Sequence, residues 1–374
     1  MKKIHFHIGF EKTGSKSIQN FCARNSKALQ ERGIYYLDDV YNGLVFASTH
    51  WPIAAAYADL PSLVPPSKKL DAQEATNLIV EVANNTSCDT LLFSAEPFSS
   101  VLTSAKKIVA MKKALSDFDV KIIAYVRRQD NFFASHISSF VKGGHSFLYS
   151  DHITMAETIV SYENQDRYDY KLILSRWADA FGVENMTIRP FERDSLLQGD
   201  VVADFLGVLD VNIEDFPDTD VRDNESLSIE ALLFLNLINR TATPEFTAVY
   251  IRQVLPALQK YQTKRIGRQQ LLSNVHRLEI IDLYAKRNAY VAKHYMDQRS
   301  QLFVQELPDA DEPWSPVSPL SYQEVYDILG YLEKAAPGVS TKIISALCQV
   351  SKDTLENCKK AQSELFPAYG NNPD

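Results

Sequence analysis

Short apolar runs alternate with amphipathic helical segments over the first half of this chain, and this order limits the folds open to it. Parallel strands need a long connection between them, and an intervening helix supplies it. The order therefore predicts an α/β fold, a parallel β-sheet flanked by helices. The runs that predict strands lie at 4–8, 34–37, 90–94 and 121–126 and within NMTIRPFE at 185–192. The patterns that predict helices lie at 17–32, 72–84, 105–115, 130–141 and 171–182.

The remainder of the chain has mainly helical periodicity and one proline-rich stretch. We expect residues 1–195 to form the α/β core and 196–306 to complete it with helices that cover the binding sites. Residues 307–374 are expected to form a proline-rich linker and a helical tail from 322 to 366. The aromatic, proline-containing segment 41–67 has weak periodicity and is interpreted as a lid or substrate loop.

Composition excludes several classes of function. The 374 residues carry a formal charge of −8 with a pI near 5.6, which argues against nucleic-acid or membrane-surface partners. Four cysteines are spread without a CxxC pair or a Cys/His cluster, which indicates reduced thiols, a cytoplasmic location and no metal. Neither a signal-peptide pattern nor a membrane-spanning apolar stretch is expected. The four cysteines are Cys22, Cys88, Cys348 and Cys358.

A glycine-containing loop follows the first predicted strand and precedes a helix. Gly9 and Gly14 have the separation of a Walker A loop, but Ser15 occupies its lysine position and Lys16 follows one residue later. From Lys12 onward the sequence is K-T-G-S-K-S, with a lysine before the glycine turn and hydroxyls where the helix begins. A helix N-terminus offers free N–H groups and a positive dipole end to an anion, so this loop is a candidate phosphate site.

This loop resembles the 5′-phosphosulfate loop, K-[ST]-G-[ST]-T, of sulfotransferases that use 3′-phosphoadenosine-5′-phosphosulfate (PAPS). The resemblance implies that the loop wraps the 5′-phosphate and that Lys12 lies against the oxygen bridging phosphate and sulfate. Lys16 stands where that family usually has a second threonine, and either a phosphate contact or a solvent-facing position fits it. The residues implied to bind the nucleotide here are Gly9, Lys12, Thr13, Gly14, Ser15, Lys16 and Ser17.

A second motif follows the strand KIIAYV. Arg127 directly follows that run and Ser135 comes eight residues later, the spacing with which sulfotransferases hold the 3′-phosphate of PAPS. An arginine grips phosphate by charge-assisted bonds, and a serine in the next helix can reach the same oxygens. The Arg-Gln that follows Arg127 resembles the bacterial carbohydrate branch of the family. Arg128 is expected to face away from the site, since neighbouring residues of a strand point to opposite sides.

Sulfuryl transfer to a hydroxyl also needs a general base. Glu96 is the first candidate, because it follows the strand TLLFSA at the edge where parallel sheets place their ligands. His50, in STHWP, is the second candidate, although an exposed or packing position is favoured for it.

The resemblance thus implies a P-loop-like α/β fold and an enzyme that moves a sulfuryl group from PAPS to a hydroxyl of a carbohydrate or glycan and releases adenosine 3′,5′-bisphosphate (PAP), without a metal. The carbohydrate is inferred from the bacterial resemblance and from the aromatic residues Tyr41, Phe46, Trp51 and Tyr57. Three alternatives remain open: a P-loop nucleotide kinase or nucleoside triphosphatase, a non-catalytic nucleotide-binding protein, and a glycosyltransferase. The oligomeric state is not determined by these patterns.

Overall fold

The computed structural model of the 374-residue chain describes most of its length. It describes residues 1–37, 44–45, 48–145, 165–219, 227–239, 254–262, 264–265, 270–314, 317–340 and 343–344. Tyr41, Phe46, Cys348 and Cys358 lie outside these residues, as does the predicted helical tail beyond 344.

Five parallel strands form the sheet in the order β2-β3-β1-β4-β5. They are β1 Lys3–His7, β2 Ile34–Tyr36, β3 Thr90–Ser94, β4 Asp119–Val126 and β5 Met186–Pro190. The first strand is central, with Lys3 beside Thr90 of β3 on one side and Asp119 of β4 on the other. The predicted α/β fold with a parallel sheet flanked by helices is confirmed.

The helices alternate with these strands and then fill the second half of the chain. Their bounds are α1 Ser15–Arg24, α2 Ser26–Glu31, α3 Trp51–Ala58, α4 Ala72–Asn85, α5 Pro97–Ser100, α6 Ala105–Ala114, α7 Gln129–Lys142, α8 Gln165–Tyr168, α9 Tyr170–Phe181, α10 Val201–Val208, α11 Ile229–Asn239, α12 Asn274–Tyr295 and α13 Tyr322–Ala335. Among the described residues, no helix is long and apolar enough to cross a membrane.

The chain forms two compact units that interleave along the sequence. The first comprises Met1–Phe133, Glu157–Asn224 and Asn274–Pro313, and it contains the whole sheet. The second comprises Ala134–Ala156, Glu225–Ser273 and Trp314–Asp374. The sequence-based division at 195 and 306 stays a prediction about segments of the chain.

Two segments differ from the sequence-based expectation. The single helix expected over 17–32 is divided at Asn25, whose side-chain amide donates to the carbonyl oxygens of Phe21 at 3.1 Å and Asp218 at 2.9 Å. The segment 41–67, interpreted as a loop, contains the helix α3. Most of α3 is buried, and Tyr57 is only 5% exposed, so this part of the segment belongs to the core.

An apolar cluster in the first unit fixes the helix that carries the candidate site. Ile18, Phe21 and Cys22 of α1 are fully buried, and they pack with Phe205 of α10 and Tyr125 of β4. Burial of this kind stabilises by about 25 cal/mol per Å² of apolar surface. The start of α1 is therefore held at the carboxyl edge of the sheet.

Candidate active site

The loop between β1 and α1 has an unusual backbone. Lys12 has φ +65° and Gly14 has φ +79°, so two residues of this short loop adopt the left-handed region. That region is open to glycine but is strained for lysine, and such strain persists only where neighbours hold it. Arg127 provides one such hold, because its Nη1 donates to the carbonyl oxygen of Lys12 at 3.0 Å.

The glycines of the loop leave room that a side chain would fill. A Cβ on Gly14 would lie 2.8 Å from Val201 Cγ1 and 3.0 Å from Phe191 Cε2. A Cβ on Gly9 would lie 2.7 Å from Ser15 Oγ. Both positions therefore need glycine on steric grounds, and Gly14 needs it for its φ as well.

Two hydroxyls of the loop turn inward. Thr13 Oγ1 donates to the Phe10 carbonyl oxygen at 2.5 Å, and Ser15 Oγ donates to the same oxygen at 3.2 Å. Both side chains are buried. Both hydroxyls are therefore used in bonds within the loop. The backbone N–H groups of the loop are better suited than these hydroxyls to bind an anion.

Helix α1 begins at Ser15, directly after the loop. Its N-cap residue, Gly14, has no side chain with which to cap the first turn, and the first turn contains no acidic residue. The positive end of the helix dipole is therefore not neutralised from within the first turn. Lys16 is exposed and Ser17 is partly buried in the same turn.

Glu96 lies beside this loop, just after β3, and is partly buried. Burial and the neighbouring Glu11 raise the pKa of its carboxyl to about 7, against the opposing effects of Lys12, Lys16 and the nearby Ser15 hydroxyl. Burial lowers the pKa of Lys12, and Glu96 opposes that shift. The arrangement couples a cation with a carboxyl group that changes charge near neutral pH.

Arg127 and Arg128 have different environments although they are adjacent. Arg127 is partly buried, lies 5.7 Å from the centre of the Phe191 ring, and contacts the loop through Lys12. Arg128 is 4% exposed, and its guanidinium donates to Asp130 at 2.8 and 3.1 Å. It also donates to the carbonyl oxygens of residues 305 and 306, so Arg128 joins structural elements while Arg127 faces the loop.

His50 is fully buried. Its Nδ1 accepts from the backbone N–H of Ser94 at 2.9 Å, which places the ring proton on Nε2, 3.3 Å from the carbonyl oxygen of Leu37. Burial lowers the pKa of this imidazole to about 4. Both nitrogens are thus engaged with backbone groups.

Ser135 lies in α7 and is partly buried. It belongs to the second compact unit, whereas Arg127 belongs to the first. Its pairing with Arg127 stays a prediction.

Comparisons with known proteins give limited similarity. No known family pattern matches the chain. A stretch of 149 residues is 26% identical to an uncharacterized protein of Archaeoglobus fulgidus, and it covers 40% of this chain and 38% of that protein. The chain therefore spans well under half of this relative's length. A sulfotransferase from Alicyclobacillus acidocaldarius aligns over 70% of this chain and 98% of its own, with 17% identity and a TM-score of 0.37. This similarity is too low to assign a function.

The structure adds three contacts that the sequence patterns do not predict. Glu11 Oε2 lies 2.8 Å from Arg167 Nη1 of α8. The Tyr170 hydroxyl donates to the Arg127 carbonyl oxygen at 2.5 Å, and the Ser99 hydroxyl donates to that of Gly9 at 2.5 Å. Glu11 is visible as the neighbour of Lys12, but its partner is distant in sequence and no local signal identifies it.

Over the described part of the chain, no group of three or more His, Cys, Asp and Glu side chains is arranged to hold a metal ion.

Proposed function

We propose that this protein is a PAPS-dependent sulfotransferase that transfers a sulfuryl group to a carbohydrate hydroxyl. The observation that carries the proposal is the placement of Lys12 and Glu96 at the loop 8–14 between β1 and α1, which we call the phosphate-type loop. Lys12 lies in this loop, a Cβ on Gly9 would lie 3.4 Å from Glu96 Cγ, and the pKa of Glu96 is raised to about 7. A general base is most effective when its pKa lies near the working pH.

In the proposed reaction the acceptor oxygen attacks sulfur in line with the oxygen that bridges sulfate and phosphate. A new S–O bond forms, the bridging S–O bond breaks, and its electron pair stays on the phosphate oxygen of PAP. Glu96 takes the acceptor proton, and the Lys12 ammonium stabilises the negative charge that grows on the leaving oxygen.

The N–H groups at the start of α1 hold the 5′-phosphate. Arg127 is assigned to the 3′-phosphate. Glu96 is preferred over His50 because both nitrogens of His50 already bond to backbone groups.

The proposed carbohydrate acceptor would need polar side chains near the loop. Polar side chains adjoin the loop: Lys16 Nζ lies 3.4 Å from Ser48 Oγ, which donates to Asn20 Oδ1 at 3.2 Å. A sugar needs such polar partners. Tyr57 does not serve as a stacking surface, since it is buried and its hydroxyl bonds to Thr76 at 2.8 Å.

A kinase or nucleoside triphosphatase is less well supported. The Walker lysine position is occupied by Ser15, which has no positive charge to offer a phosphate. Ser15 is also 1% exposed and bonds to the Phe10 carbonyl oxygen. A kinase would bind ATP with magnesium in preference to PAP, and this difference can be measured.

Calorimetric titration with PAP and with adenosine 5′-monophosphate tests the donor assignment. We expect PAP to bind without magnesium and about a hundredfold more tightly, because charge-assisted bonds to the 3′-phosphate contribute about 1.5–3 kcal/mol each. Arg127→Ala should reduce this preference. Arg24→Ala, which removes a charge from the far end of α1, is the matched control and should retain it.

Release of PAP from PAPS, with water or chitotetraose as acceptor, tests the chemistry. Lys12→Ala should lower turnover about a hundredfold or more while PAP still binds. Chitotetraose should accelerate release over water if carbohydrates are the acceptor class. Equal affinity for the two nucleotides, or full turnover by Lys12→Ala, would refute the proposed function.

A further inference from the structure

Glu11 connects the phosphate-type loop to a well-packed part of the first unit. Its carboxylate pairs with Arg167 at 2.8 Å, and the two side chains are only 30% and 23% exposed. The next residue, Tyr168, is fully buried, and its ring stacks on that of Phe133 with 4.3 Å between centroids. The ion pair therefore joins the loop to an anchored helix end.

The residue next to Glu11 is the one whose backbone is strained. Lys12 has φ +65°, and its carbonyl oxygen accepts from Arg127 at 3.0 Å. Arg167 holds the side chain that precedes Lys12, and Arg127 holds the carbonyl of Lys12 itself. A strained conformation survives where its surroundings over-determine it, and these two arginines do so from either side.

Glu11 also contributes charge to the site. The charged groups that act on Glu96 are Glu11, Lys12 and Lys16, with the hydroxyl of Ser15 as a further partner. Of these groups only Glu11 is an anion, so it opposes ionisation of Glu96 while the two lysines favour it. Loss of the Glu11 charge should make Glu96 easier to ionise.

We propose that Glu11, paired with Arg167, is a positioning residue for sulfuryl transfer: it holds Lys12 at the leaving group and sets the charge that Glu96 experiences. The proposal rests on the proposed function of this site. Glu11 acts through Lys12 and Glu96 and has no contact with the reacting atoms.

The test uses Glu11→Gln, which keeps the shape of the side chain and removes its charge. Release of PAP from PAPS, with water as acceptor, is measured from pH 5 to 9, together with calorimetric binding of PAP. The acidic limb of the kcat profile should move to lower pH by about 0.5 unit, since Glu96 loses its anionic neighbour. The plateau value of kcat should fall about tenfold, because Lys12 is less well placed, while PAP affinity changes by less than about threefold.

Two further variants separate positioning from a general structural effect. Arg167→Lys keeps the positive charge and should retain most of the plateau kcat. Asp166→Asn is the matched control, because it removes the 3.2 Å Arg176–Asp166 pair from the same helix end without touching the loop. It should leave both the acidic limb and kcat unchanged.

An unchanged acidic limb and kcat in Glu11→Gln, in a wild type that binds PAP and turns over, would overturn this inference alone. The same changes in Asp166→Asn would also overturn it. A wild type that neither binds PAP nor releases it from PAPS would overturn the proposed function together with this inference.

Discussion

At the scale of single residues, the Glu96 carboxyl makes the stability of the protein depend on pH. Its pKa is raised to about 7, mainly by burial, from an ordinary value of 4.5. The folded state therefore binds the proton more tightly than the unfolded state does. Stability is highest when Glu96 is protonated, and it falls as the pH rises from about 4.5 to about 7.

Glu96→Gln should therefore stabilise the protein at alkaline pH. We expect a gain of about 1–2 kcal/mol in the free energy of unfolding at pH 8 and almost none at pH 5, after discounting the full shift for partial exposure. Urea denaturation at the two pH values measures it. Glu81→Gln, on the exposed face of α4, is the control and should give no pH-dependent gain. An equal effect of Glu96→Gln at both pH values would contradict the assigned shift.

At the scale of elements, the turn into α1 depends on the absence of a side chain at Gly14. Two glycines with nearly the same backbone allow this to be tested: Gly14 has φ +79° and Gly33 has φ +77°. A Cβ at Gly33 would meet nothing within 4 Å, whereas at Gly14 it would meet Val201 at 2.8 Å. The backbone strain is shared, and only Gly14 adds a steric clash.

Gly33→Ala should lower the free energy of unfolding by about 1 kcal/mol, the cost of a left-handed alanine. Gly14→Ala should lower it by about 1–3 kcal/mol more, because α10 or Phe191 must shift, and it should weaken PAP binding. Urea denaturation and calorimetry measure these effects. If the two variants are equally destabilised, the packing around Gly14 is looser than the structure indicates.

Strands of this fold are predictable from sequence where both faces are buried. The run 90–94 coincides with β3, and the run 121–126 lies within β4, because continuous apolar stretches between turn residues mark interior parallel strands. The break at Asn25 is not predictable, since its amide bonds to the carbonyl of Asp218, far away in the sequence. The same limit applies to the site. Lys12, Gly14 and Glu96 follow from local patterns, while the Arg167 partner of Glu11 depends on tertiary structure.

At the scale of the whole molecule, three histidines make the free energy of unfolding decrease in acid. Burial lowers the pKa of His5 to about 4, of His7 to about 3 and of His50 to about 4. The unfolded chain binds protons at these residues near pH 6.5, and the folded chain does so only at lower pH. Their contribution to stability is therefore complete above pH 6.5 and is lost as the pH falls towards 4.

The protein should lose about 2 kcal/mol of unfolding free energy between pH 7.5 and pH 5.5. The three histidines together account for a loss of about 3 kcal/mol, and protonation of Glu96 offsets about 1 kcal/mol of it. Urea midpoints followed by near-ultraviolet circular dichroism measure the change. The loss should be larger in Glu96→Gln, which lacks the offset. A midpoint that is constant or rises over this range would show that the histidines are not held neutral.

The central place of β1 in the sheet has a consequence for how the molecule forms. This strand leads into the phosphate-type loop, yet its hydrogen-bonding partners at Thr90 and Asp119 are distant in sequence. Such non-local pairing gives a high contact order. The chain loses conformational entropy in bringing these segments together before the pairing contributes any stability. During synthesis the loop leaves the ribosome before β3 and β4 do. The two strands that flank β1 are therefore not yet present to hold the loop in place. The loop should therefore reach its folded conformation late in folding, together with the sheet and not before it.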